Sequence, residues 1–330
     1  MSQSSSRLRA LCPEPDNYSE VGLEAIRRFA DLTLQVMGAD ELHRCIADYE
    51  LLFVRLRTRV PGALLREGRR LRAVVSPTTG LNHIDLESAS SLGIEIFHLR
   101  GQSEILRTIP STAEHTWGLL LALARQIPAA SRSVLAGSWS QETFRGRELK
   151  GKCLGILGFG RLGSVVSKYA RAFGMDVVAF DPYVDDVPSH VRRCRTMAEL
   201  LRSSDVLSIH VPLNEETEGL IGWDEIDLLP EGSMFVNTSR GEIVDEEALI
   251  LALTSGRISG AAVDVLQREH TIRQGGNPLI AYAREHDNLI ITPHIGGATF
   301  EAVAKTDLFL IARLVEWLGS TPPAARGSST

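Results

Sequence analysis

Short runs rich in valine and isoleucine alternate with longer amphipathic stretches along most of this chain. That alternation restricts the fold more than any other feature. It describes parallel strands joined by returning helices, so an α/β architecture is expected. In the first hundred residues the strand candidates are 7–11, 51–54, 72–75 and 94–97. Helical stretches lie at 21–30 and 86–92, the second closed by Gly93 as a C-cap. A longer helix is expected over 112–125. Pro110 precedes it, Ser111 is placed to cap it, Glu114 stands at capping-box spacing, and Pro128 ends it. Six more strands are expected at 153–157, 176–180, 205–209, 233–237, 260–264 and 288–292, the content of one doubly wound domain. A last helix covers 300–318. The tail 319–330, rich in Pro, Gly, Ser and Thr, is expected to be disordered.

A chain of 330 residues has room for two domains. Its net charge of −6 argues against a nucleic-acid partner, which needs a basic surface. Cys12, Cys45, Cys153 and Cys194 form no C-x-x-C pair, so neither a zinc site nor a disulfide framework is expected, and no metal is assigned. No signal-type apolar segment follows Met1–Ser6. The most apolar run, 117–124, is too short to span a bilayer. A cytoplasmic protein without a membrane partner is the expectation.

Residues 153–163 read Cys-Leu-Gly-Ile-Leu-Gly-Phe-Gly-Arg-Leu-Gly, placing Gly158, Gly160 and Gly163 as G-x-G-x-x-G. The motif alone is weak, but here a strand candidate precedes it, and a helical stretch ending at Gly174 follows. Gly158 permits the tight turn, Gly160 lets the backbone approach a pyrophosphate, and Gly163 lets helix pack on strand. The next strand ends at Asp181, 18 residues after Gly163, where a carboxylate accepts from an adenosine ribose and repels a 2′-phosphate. NAD is therefore the expected cofactor rather than NADP.

From Leu71 to Thr299 the chain resembles the D-isomer-specific 2-hydroxyacid dehydrogenases. The resemblance rests on Thr79-Gly80-Leu81-Asn82-His83-Ile84-Asp85-Leu86, Ser111-Thr112-Ala113-Glu114-His115-Thr116, the glycine turn, His210-Val211-Pro212-Leu213, Val236-Asn237-Thr238-Ser239-Arg240-Gly241 and Thr292-Pro293-His294-Ile295-Gly296-Gly297. It implies two doubly wound parallel-sheet domains. A Rossmann NAD-binding domain (102–296) would be inserted in a flavodoxin-like substrate domain (1–101 and 297–330), with substrate in the cleft. It implies Arg240 as the grip on the substrate carboxylate and 2-oxygen, which suits a planar, permanently charged guanidinium. It implies His294 as the acid–base group, with Glu269 as its carboxylate partner. Further implied cofactor contacts are Arg161, Leu162, Val211, Pro212, Thr217, Thr238, Ser239, Asp264, Gly296 and Gly297. Implied substrate contacts are Thr78, Thr79 and Gly80. His83, His98, His115 and His210 are read as structural or cofactor-neighbouring.

The chain departs from the family pattern around Glu269. Leu266 stands where an aromatic is usual, His270 where a proline is usual, and extra residues lie around 271–276. Glu285 is the alternative carboxylate. In the substrate loop Thr78 adds a side chain where relatives often have glycine. The implied activity interconverts a small D-2-hydroxy acid and its 2-keto acid in a homodimer. Two other readings stay open: a phosphite- or formate-type dehydrogenase, and a non-catalytic NAD-binding regulator of the same fold.

Overall fold

The computed structural model of the protein describes residues 7–269, 272 and 276–320. It divides into two compact units, one running to Ile109 and resuming at Ala298, the other Pro110–Gly297.

The first unit holds five parallel strands: β1 (Leu8–Cys12), β2 (Ala30–Leu34), β3 (Leu51–Phe53), β4 (Ala73–Ser76) and β5 (Glu95–His98), in the order β2-β1-β3-β4-β5. Alternate side chains point to opposite faces, so the buried central strands feed two cores. Leu11, Leu52 and Val74 pack with Ile46, Leu64 and Leu65 on one face. Ala10, Phe53 and Val75 pack on the other with Ile26, from helix Glu20–Arg27, and Leu310, Ile311 and Leu314, from helix Phe300–Ser320. Each such aliphatic side chain contributes about 2 kcal/mol on burial. The last helix is tied in by a buried ion pair. Asp307 accepts from Ser19 N and Oγ, both at 2.8 Å, and from Arg55 Nη2 at 2.6 Å.

The sequence reading omitted β2, and the helix expected over 21–30 stops at Arg27. As an edge strand, β2 leaves Asp31 exposed and Thr33 half-buried, so its run of residues lacks a continuous apolar signature. The last helix extends to Ser320, two residues beyond its expected end. The expected disorder of the tail beyond Ser320 lies outside the described residues.

The second unit holds seven parallel strands: β6 (Cys153–Leu157), β7 (Asp176–Phe180), β8 (Arg192–Arg193), β9 (Val206–Ile209), β10 (Ser233–Asn237), β11 (Ile258–Val263) and β12 (Leu289–Ile291). Their order is β12-β11-β10-β9-β6-β7-β8, so the chain reverses direction across the sheet between β6 and β9. Six of the seven match the expected strands. The seventh, β8, is a two-residue exposed edge with no apolar content to reveal it.

Helix Ser111–Ala124 differs from expectation at both ends. Pro110 is its N-cap, Ser111 is already helical, and no side chain caps it, so the expected capping box does not form. At the other end Gln126 takes a left-handed φ of 52° and breaks the helix. Pro128 then sits in the first turn of a second helix, Ile127–Leu135, where its missing N–H costs nothing. No helix among the described residues is long and apolar enough to cross a membrane. The four cysteines are unpaired, and no metal-holding cluster occurs among the described residues.

Candidate active site

Three pieces of the glycine motif have separate physical causes. Gly158 has φ +93°, and a Cβ there would lie 2.8 Å from His210 C and Val211 N. A Cβ on Gly163 would lie 2.4 Å from Gly158 O, so helix Arg161–Ala172 could not approach the turn. A Cβ on Gly160 would meet no protein atom. Packing within the chain does not demand glycine at 160. Its effect is to keep the backbone accessible at a helix start that no side chain caps, where anions are favoured. This turn follows β6, next to β9, at the point where the strand order reverses. The residues present therefore fit a dinucleotide. Asp181, after β7, accepts from Phe159 N and Tyr183 N, both at 2.9 Å, which ties the turn to the neighbouring strand end.

After β9, Thr217 Oγ1 donates to Pro212 O at 2.6 Å and fixes the Val211–Pro212 loop. His210 Nε2 lies 2.8 Å from Ser208 Oγ, and its Nδ1 is buried without a partner among the described residues. Burial pulls this imidazole down from 6.5 to about 4. The unfolded chain takes up a proton near pH 6.5 that the folded chain refuses until about pH 4. Stability from this group is thus complete above pH 6.5 and lost as pH falls toward 4, by up to ~3 kcal/mol. Denaturant titrations across that window should show the loss, and His210→Asn should flatten it. An equal slope in both proteins would contradict this reading of the ring.

After β10, Asn237 orders the segment that carries the arginine. Its Nδ2 donates to Arg240 O at 2.8 Å, and its Oδ1 accepts from Ser239 N at 2.9 Å. Ser239 Oγ reaches across to Val211 O. Arg240 Nη1 donates to Ser239 O at 2.6 Å. A Cβ on Gly241 would lie 2.0 Å from Leu266 C and 2.3 Å from Gln267 N. Only glycine permits that approach, which brings the arginine segment against the segment that leads to Glu269. Glu246 holds the second segment in place, accepting from Gln267 N at 2.7 Å and Asn277 Nδ2 at 2.8 Å.

Glu269 and His294 come together. Glu269 Oε2 lies 2.8 Å from His294 Nδ1, and Oε1 accepts from Leu266 N at 3.3 Å. Both side chains are partly exposed. Three non-glycine residues have positive φ among the described residues. Two of them are His294 (54°) and Arg268 (51°), which directly precedes Glu269. Left-handed backbone costs an L residue roughly 1–2 kcal/mol, and such strain collects at functional sites. Here Asp264 holds it for His294. Asp264 O accepts from His294 N at 2.8 Å, while its carboxylate accepts from Ile295 N at 2.9 Å and Gly296 N at 2.7 Å. Burial raises the Asp264 pKa, but hydrogen bonds from His115, Thr292, Ile295 and Gly296 outweigh it and hold it below the ordinary value.

All of these groups follow strand ends on one edge of the seven-stranded sheet. The alternative carboxylate, Glu285, does not join them. It is exposed at the end of helix Pro278–Glu285 and lines a separate cavity of about 610 Å³ with Met234 and Gly260, near the opposite ends of the strands. Thr78, Thr79 and Gly80 lie in the five-stranded unit. The Thr78 hydroxyl donates to Gly80 O at 2.8 Å and lies 3.0 Å from Ser76 Oγ, so it staples its own loop. His270 and most of the extra residues around 271–276 lie outside the described residues. Sequence reasoning missed Glu246, which no spacing pattern marks; Gly241, His115 and Thr116 lie in stretches that carry the family resemblance, but their approaches to Leu266, Asp264 and Thr238 are not readable from it.

The profile of the D-isomer specific 2-hydroxyacid dehydrogenase NAD binding domain matches residues 117–296. Over 314 residues the chain is 35% identical to the hydroxypyruvate reductase of Thermotoga maritima, covering 95% of this chain and 99% of that protein. It is also 35% identical over 320 residues to the D-3-phosphoglycerate dehydrogenase of Archaeoglobus fulgidus, covering 96% of this chain but 58% of that longer protein. Among solved structures it is similar to D-lactate dehydrogenase from Aquifex aeolicus complexed with NAD and lactic acid. The TM-score is 0.81 at 28% identity, with 94% of this chain and 95% of that one covered. The chain therefore belongs to the D-isomer specific 2-hydroxyacid dehydrogenase family and is an oxidoreductase carrying that family's NAD-binding domain.

Proposed function

We propose that this chain interconverts a small D-2-hydroxy acid and its 2-keto acid with NAD, Arg240 binding the substrate carboxylate and 2-oxygen, and His294 exchanging the proton at that oxygen. The observation that carries the reading is the 2.8 Å contact between His294 Nδ1 and Glu269 Oε2. A carboxylate on Nδ1 fixes the ring and its tautomer, leaving Nε2 to give or take a proton. The coenzyme, when bound, supplies or accepts the hydride. Arg240 stays charged throughout, so it can polarise the 2-oxygen in either direction.

The test is a panel of 2-keto acids with NADH, followed by loss of nicotinamide absorbance. Consumption with pyruvate, hydroxypyruvate or glyoxylate is expected. Turnover only of formate or phosphite with NAD would favour that alternative chemistry, and NADH binding without consumption would favour the regulator.

The preference for NAD rests on Asp181. Asp181→Asn keeps an oxygen to accept from the backbone but removes the charge that repels a 2′-phosphate. Its NAD-to-NADP ratio of kcat/KM should fall by about tenfold or more. An unmodified protein that already favours NADP would overturn the assignment. A homodimer is proposed with this activity. Ile127, Val134, Leu135 and Trp139, on and after the helix Ile127–Leu135, leave an exposed apolar surface. Sedimentation should give twice the 36.1 kDa chain mass; the mass of a single chain would refute it.

A further inference from the structure

We propose that His115 and Thr116, adjacent in the first turns of the helix Ser111–Ala124, are positioning residues that set the His294 and Arg240 segments separately. The inference rests on the roles proposed above for those two groups. Successive residues on a helix point about 100° apart, so neighbours in sequence can reach two different strand ends. Each of these two side chains does so.

His115 Nε2 lies 3.1 Å from Asp264 Oδ1 and 3.0 Å from Thr292 Oγ1. The Thr292 hydroxyl donates to the same Asp264 oxygen at 2.5 Å, so it presents only lone pairs to the imidazole. Both groups that face Nε2 are therefore acceptors, and Nε2 must carry its hydrogen. His115 thus holds the carboxylate through the same oxygen that accepts from Ile295 N, while the other oxygen accepts from Gly296 N. Between those anchors His294 keeps a left-handed backbone that an L residue adopts only when its surroundings dictate it. Releasing the Asp264 carboxylate would let that backbone relax and turn the imidazole away from its productive orientation.

Thr116 acts on the other segment. It is buried, and its hydroxyl donates to Thr112 O at 2.7 Å, one turn back in the helix. Its lone pairs therefore accept from Thr238 Oγ1, also at 2.7 Å. Thr238 begins the Thr238-Ser239-Arg240 run, which is also bonded to Val211 and Asn237. Losing the Thr116 hydroxyl would loosen the base of the arginine segment and leave the Asp264 network intact.

Two residues of one helix should consequently give different kinetic signatures, one confined to kcat and the other dominated by KM. His115→Leu is expected to lower kcat about tenfold with the keto-acid KM within about twofold, because the proton donor is misplaced while the carboxylate grip remains. Thr116→Val is expected to raise that KM about tenfold and to lower kcat less, about threefold, because the guanidinium it positions grips the carboxylate and also polarises the 2-oxygen. His115→Gln, which places an amide near the Nε2 position, and Thr116→Ser should restore most of each loss, whereas the shorter His115→Asn should not. Should His115→Leu fail to fold, the comparison of His115→Gln with His115→Asn decides its half of the proposal; Thr116→Ser against Thr116→Ala decides the other. Equal changes of kcat and KM in both series, wild-type kinetics in both, or no restoration by Gln and Ser would overturn the proposal. An unmodified protein that turns over no 2-keto acid would instead sink the function on which it rests.

Discussion

His294→Asn is expected to lower kcat for keto-acid reduction by roughly 10³-fold, the scale of positioned general acid–base catalysis, with NADH affinity unchanged. The 2-oxygen must gain a proton as the adjacent carbon gains hydride, and an amide cannot supply one at neutral pH. Asparagine is the informative replacement because position 294 has φ 54°, and asparagine tolerates left-handed backbone better than most residues. The bond from its N–H to Asp264 O should persist, so the loss reports chemistry rather than collapse of the loop. Glu269→Gln should cost less, since an amide oxygen can still accept from Nδ1. Steady-state kinetics with fluorescence titration of NADH checks both; near-normal kcat in His294→Asn would remove the histidine from the mechanism.

Arg240→Gln should lower kcat/KM for a 2-keto acid by about 10³-fold, roughly 4 kcal/mol, as two charge-assisted hydrogen bonds to a carboxylate are lost. Arg240→Lys should recover only part, because a point charge cannot reproduce a planar, two-pronged grip. The effect should appear in both KM and kcat, since the same group binds the carboxylate in the ground state and polarises the oxygen in the transition state. A change confined to NADH affinity would place Arg240 on the coenzyme instead.

The parts of this molecule legible in its sequence are those where burial imposes a pattern. Cys153–Leu157, Asp176–Phe180 and Ser233–Asn237 lie in the seven-stranded sheet, are largely buried, and read as apolar runs to the residue. The edge strands Ala30–Leu34 and Arg192–Arg193 carry half or none of that signal. Helix ends proved similarly opaque: the spacing of Ser111 and Glu114 suits a capping box, yet Pro110 takes the cap position. In the site, motif order marked the turn, Arg240 and His294, and left Glu269 and Glu285 as alternatives for the carboxylate. It could not reveal the left-handed backbone at Arg268 and His294: arginine seldom adopts it, and histidine, although enriched there, does so at only a few of its positions. Nor could it show that Gly241 is required by a backbone 25 residues later, at Leu266, rather than by its own turn.

The most direct test of the whole account follows the hydride itself. Unmodified protein is incubated with pyruvate or hydroxypyruvate and NADH deuterated at C4, and the product is examined by chiral chromatography and mass spectrometry. A D-2-hydroxy acid bearing deuterium at carbon 2 is expected. An L product, or NADH left unconsumed with every 2-keto acid tried, would contradict it.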